Sequence, residues 1–254
     1  MRFPIGQTRY GIVSLNCYNK MADFDLRIPL DFLSELSLHN DREWFNAHKD
    51  WYTESYNQFV RFTEAYLAGL TEIDQTLAGL QPKDCIWRIY RDVRFSADKR
   101  PYKEWFGVFP AAHGGKKSMH GGYYVHIQPG HCMFAAGIWC PSPELLKTLR
   151  KEIEANYDEI EDIMAAPEYK RYFTDFDTDD MLKKVPQGFD PAFVHADWLK
   201  RKSFTISTPL TDKQVCAHGF INHILDIASA AKPLNDFLNY TFEQYGEFPS
   251  RCSR

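Results

Sequence analysis

Between Trp87 and Trp105 stand six cationic side chains, Arg88, Arg91, Arg94, Lys99, Arg100 and Lys103. Their shared chemistry is anion recognition, because a guanidinium offers paired donors in a planar fork and an ammonium adds a mobile point charge. The segment that carries them also alternates like a β-strand: Cys85, Trp87, Ile89, Val93 and Phe95 interleave with Ile86, Arg88, Tyr90, Asp92 and Arg94. On a regular strand Arg88, Tyr90, Asp92 and Arg94 share one face, and Arg91 falls among the apolar residues. Charges so placed are costly unless they are paired or bind something. Two arrangements meet that condition. In a salt-bridge ladder, Asp92 neutralises its arginine neighbours. In a ligand clamp, Arg88 and Arg94 hold a phosphate or carboxylate, Lys99 and Lys103 add charge, and Tyr90 or Tyr102 donates a hydrogen bond. Asp92 then orients an arginine or serves as a base.

The other chemistry-bearing patterns are weaker. Gly114-Gly115-Lys116-Lys117-Ser118 looks like a phosphate loop, but Pro110 stands where the first glycine of that motif belongs. A hairpin loop before a strand at Gly122 fits better. His120, His126 and His131 with Cys132 match no zinc spacing, and His218 and His223 are too far apart for one helical face. The acidic run Asp175–Asp180 lacks the glycine and closing glutamate of a calcium loop. No G-x-S-x-G occurs. No metal and no cofactor is expected. Six cysteines without a C-x-x-C pair read as reduced thiols.

The elements that must position the basic segment follow from periodicity. A short helix is expected over Leu30–Leu38. A long one follows, capped from Asn40 with Glu43, with Trp44, Trp51, Phe59, Phe62, Tyr66 and Leu70 on its core face. Strands are expected near Trp105–Ala111, Tyr123–Gln128 and Cys132–Trp139, with Pro129-Gly130 as the turn between the last two. Ser142-Pro143 starts a helix that runs to Ile163. Ser203–Thr208 is a further strand closed by Pro209, and Thr211 or Asp212 caps a final helical pair. Short turns favour an antiparallel meander. The fold class is therefore α+β: a central antiparallel sheet, built from a meander around 85–139 plus a strand near 203–208, flanked by helices. Residues 1–22 read as an irregular extension, with Met21 an alternative start, and 23–254 as one domain.

At 254 residues, 44% hydrophobic, the chain can bury a large core. It lacks a secretory leader pattern and any membrane-length apolar run, so the expected location is the cytoplasm and no membrane partner is expected. The net charge of −4 gives no whole-molecule pull on nucleic acid. Residues 83–117 nevertheless hold nine Lys and Arg against four Asp and Glu. A positive island in an acidic chain points to a small, local anion.

Asn40-Asp-Arg-Glu-Trp-Phe45, the block Pro82 to Lys103, Gly121-Gly-Tyr-Tyr124 and Lys184-Val-Pro-Gln-Gly-Phe-Asp-Pro191 together resemble a conserved-hypothetical family of bacteria and fungi, a domain of unknown function. The likeness spans about Leu30 to Leu238. It implies one domain over that span and no particular activity. The function expected from the residues is binding of a small phosphorylated or nucleotide-like anion through Arg88, Tyr90, Arg91, Asp92, Arg94, Lys99, Tyr102 and Lys103, with catalysis on that ligand left open. The alternatives are an interaction module whose arginines form internal ion pairs, and a weak nucleic-acid binder.

Overall fold

The computed structural model describes residues 24–246 and 248. The expected irregular segment 1–22, with Met21, lies outside the described residues, as do Cys17 and Cys252.

Alternation builds the sheet. In β1 (Phe106–Val108), β2 (Gly122–Ile127), β3 (Cys132–Ile138) and β4 (Phe204–Leu210), every second side chain points inward, as with Tyr123, Val125 and Ile127. The strands pair antiparallel in the order β1-β2-β3-β4, so the expected α+β class holds. Register is tight where β3 meets β4. Gly137 has φ +110°, and a Cβ there would lie 2.1 Å from the Phe204 carbonyl oxygen.

Helices α1 (Arg27–Leu38), α2 (Arg42–Ala47), α3 (Lys49–Ile73) and α4 (Pro82–Cys85) precede the sheet. After β3 come α5 (Pro143–Ala155), α6 (Tyr157–Ala165), α7 (Pro167–Lys170) and α8 (Ala196–Leu199). After β4 come α9 (Asp212–Val215) and α10 (Phe220–Tyr245). The inner sheet face packs with α10, α3 and α1 into a core that runs in sequence from Leu26 to Phe242. Phe59, Phe62, Tyr66 and Leu70 of the aromatic stripe are fully buried there. Ser142 caps α5 by accepting from Leu145 N, and Thr211 caps α9 in a reciprocal box with Gln214.

Several expectations are corrected. The long second helix is two helices, broken at His48, whose ring stacks on Trp44 and bonds its carbonyl. Asp41, not Asn40, caps α2. The helix from Ser142 breaks at Asn156. Pro209 does not end β4. It pairs with Met133 on a strand at the sheet's edge, where a missing N–H is tolerated. Most important, the meander does not begin with a strand at 85. Pro82 opens one helical turn through Cys85, and the meander's first strand is β1.

Candidate functional site

Beyond Cys85 the chain runs antiparallel to 101–109 as an irregular ribbon. Phe109 N donates to Cys85 O, Trp87 N to Gly107 O, Lys103 N to Ile89 O and Arg91 N to Pro101 O. From Trp87 to Ile89 one side advances two residues while the other advances four, from Lys103 to Gly107. Glu104 and Trp105 form that bulge, which re-aims their side chains.

The bulge places Lys103 and Trp105 toward the sheet face that carries no core. Gly107 pairs across with His126, and Tyr124 and His126 alternate with the buried Tyr123 and Val125. Trp87, Trp105, Tyr124, Met133 and Ala135 belong neither to the core cluster nor to the layer packed on it. Half-buried side chains of this face cover one another instead. Lys103 Nζ lies 4.6 Å from the Trp105 ring centre and 5.6 Å from that of Trp87, close enough for cation–π attraction. Burial first, and the charge of Arg88 second, push the Lys103 ammonium down to about 8. No carboxylate among the described residues forms a salt bridge with Lys103 or with the exposed Arg88, although the charge of Arg88 acts on the Asp92 carboxyl.

Beside them runs a hydrogen-bonded line. The Trp105 and His126 rings are 5.0 Å apart. Gln128 Oε1 can only accept, so His126 Nε2 (2.9 Å away) donates to it. His126 Nδ1 then accepts from the Tyr124 hydroxyl at 2.7 Å. Burial lowers the His126 pKa and raises that of Tyr124. Both imidazole nitrogens are engaged, so this line positions groups and leaves no free base. Gly107 makes room for it. A Cβ there would come within 2.7 Å of Trp105 and 2.9 Å of the Tyr124 hydroxyl.

The other residues singled out in the sequence are mostly occupied. Arg94 pairs with Asp92 at 2.6 Å in the open, and that hydrogen-bonded pairing brings the Asp92 carboxyl to about 2. Arg91 pairs with Asp98 at 2.8 Å. Arg100 binds Asp98 and Glu104, holding Asp98 far below the carboxylate range. Lys99 Nζ donates to Val93 O. Tyr90 accepts from Lys49. Tyr102 is buried and stacked 3.9 Å from Phe45. A common face for Arg88, Tyr90, Asp92 and Arg94 does not form, because the ribbon's pairing ends at Arg91 and a side-chain-stapled loop follows. That loop carries Phe95 at 97% exposure.

Sequence reasoning missed Trp87, Trp105, Tyr124 and Gln128 as site neighbours, and treated His126 only as a metal candidate. The alternation in β2 did put Tyr124, His126 and Gln128 on one face, and that was the available signal.

The remaining motifs are structural. Gly115–Lys117 is a single 3-10 turn, with Lys116 donating to the Lys83 carbonyl. Asp177 accepts from Thr205 and Ser207 of β4, and Asp180 pairs with Lys202. Among the described residues no three His, Cys, Asp or Glu gather as metal ligands, and no helix is long and apolar enough to cross a membrane. Cys85, Cys132, Cys140 and Cys216 are free thiols.

Searches of curated proteins and of solved structures return no match. Residues 29–237 match the family model described as conserved hypothetical protein (DUF2461), and since that is most of the chain, the protein belongs to this family.

Proposed function

We propose that the chain binds a small phosphorylated anion at Arg88 and Lys103, on the coreless face of the sheet. One observation supports this reading: a half-buried ammonium close to two indole rings, under the charge of a second cation and with no salt-bridged carboxylate of its own among the described residues. Two such cations repel one another, and an anion between them relieves that repulsion while giving the desolvated ammonium a partner. Trp87 and Trp105 favour a ligand with a planar or apolar portion.

Calorimetric titration with inorganic phosphate and with nucleoside monophosphates, at low and high salt, tests it. Binding with a shallow salt dependence supports a small-anion site. A steep dependence on a longer oligonucleotide, with no response to the small anions, overturns it in favour of a polyanion. A second reading rests on the Arg91–Asp98 and Arg94–Asp92 pairs: an interaction module whose arginines are internal ion pairs. It predicts no heat with any anion.

A further inference from the structure

We propose that the chain associates with a second copy of itself, the exposed Phe95 ring of one copy entering a hollow beside helix α3 of the other. The anion site plays no part in this contact. Each molecule offers both halves of it, a knob and a hollow.

The knob stands at the far end of the irregular ribbon. Phe95 is 97% exposed, more than any other large apolar side chain among the described residues. The loop that carries it is tied from within. Arg91 Nη1 donates to Asp98 at 2.8 Å and to the Arg100 carbonyl at 3.1 Å. Arg100 grips the same aspartate, and Lys99 Nζ donates to the Val93 carbonyl at 3.1 Å. A ring held out in this way loses little freedom on docking and gains the burial of a whole aromatic face.

The hollow lies between α3 and the segment that enters α4. Glu64, Leu67, Ala68 and Thr71 recur at the spacing of one helical face, and Leu80 and Pro82 complete the lining. Its volume is about 250 Å³, enough for one aromatic side chain, and four of those six residues are apolar. Charge favours the same match. Lys99 in the loop and Glu64 at the hollow are both exposed, and neither forms a salt bridge among the described residues. The Arg94 guanidinium, 6.0 Å from the Phe95 ring, brings a second cation with it. Opposite charges at the rim of an apolar contact steer encounter and fix its register.

The knob does not serve its own hollow. Main-chain pairing runs from Cys85 to Arg91 along the ribbon. Those six steps, at about 3.3 Å each, set the loop some 20 Å beyond α4. Knob and hollow are therefore different surfaces, and a pair closes on itself only when each copy fills the other. One ring and its rim bury far less than the roughly 1,200–2,000 Å² of a stable interface, so the association is weak and reversible.

Sedimentation velocity on the full chain over rising concentration tests this. The wild-type sedimentation coefficient should climb with concentration. Phe95→Ser removes the knob and Ala68→Trp fills the hollow, and each should weaken association about tenfold or more. Both positions are exposed, so the melting temperatures should match wild type. An equimolar mixture of the two variants should regain association, because one brings an intact hollow and the other an intact knob. A wild type that stays monomeric, variants that associate as wild type does, or a mixture that fails to recover overturns the inference. Loss in Phe95→Ser with full association in Ala68→Trp overturns the hollow as the ring's seat. A monomeric wild type that needs Phe95 to sediment with phosphatidylserine vesicles overturns self-association in favour of a lipid surface.

Discussion

The side chain of Asn40 holds both main-chain polar groups of Tyr102: its Oδ1 accepts from Tyr102 N, and its Nδ2 donates to Tyr102 O, each at 3.1 Å. Nδ2 also donates to Glu104 at 2.9 Å. An amide from the turn between α1 and α2 thus stands in for a neighbouring strand, at the residue that precedes Lys103. It fixes the start of the bulge that aims Lys103 and Trp105.

Asn40→Ala should therefore act on both stability and site. Two hydrogen bonds to half-buried main chain are lost, which costs about 2–3 kcal/mol. For a chain of this size that lowers the melting temperature by roughly 4–12 °C. Stabilisation by phosphate should weaken as well, because the Lys103 backbone is released. Differential scanning calorimetry with and without phosphate checks both, and an unchanged melting temperature would show that the clamp is incidental.

Gly107→Ala tests whether the indole wall and the Tyr124 hydroxyl need the space they occupy. The new methyl group meets side-chain atoms that can shift, so the expected cost is about 1–3 kcal/mol. The shift moves Trp105 away from Lys103 and stretches the Tyr124–His126 bond. Anion affinity should fall more than stability does. A melting temperature and titration curve equal to those of the wild type would argue that the face is plastic.

How far the sequence foretold this arrangement depended on whether local pattern had a competitor. Tyr123, Val125 and Ile127 bury as period-two alternation requires, and Ser142 and Thr211 cap the helices they precede. The same alternation over 85–95 misled, because a helical turn closes at Cys85 and the bulge at Glu104-Trp105 breaks the pairing register. Propensity does not register a bulge two residues wide on the opposite side of a ribbon. The basic cluster was visible as composition, yet composition could not sort Arg91 and Arg94, each salt-bridged to an aspartate, from Arg88 and Lys103, which form no salt bridge among the described residues. Nor could it show that Asn40 reaches across to Tyr102 instead of capping a helix.

Arg94→Gln should change the melting temperature by no more than about 2 °C, because its partner Asp92 is exposed and returns to water when freed. A large drop would mean that this pair anchors the Phe95 loop. The anion response should survive the substitution.

The lowered Lys103 pKa sets a pH dependence of known sign. Between about 8 and the ordinary lysine value of 10.5, the unfolded chain binds a proton that the folded one has released. Stability therefore rises with pH across that window. Below about 8 both states carry the proton and the burial penalty is present in full. Above 10.5 neither does. Lys103→Met should remove this rise, measured as the difference between wild-type and variant denaturation midpoints from pH 7 to 10.5. A parallel pair of curves would contradict the placement of Lys103.

The central claim is that Arg88 and Lys103 form an anion site, and thermal shift against inorganic phosphate tests it most directly. In wild type at pH 7, phosphate should raise the melting temperature with saturation, by mass action on the folded state. In Lys103→Met the protein should remain folded, with the desolvated charge gone, and the phosphate response should disappear. It should also fade in wild type above pH 8, about tenfold in affinity per pH unit, as the ammonium loses its proton. A wild-type protein indifferent to phosphate, or a Lys103→Met protein that responds as fully as wild type, would contradict the account.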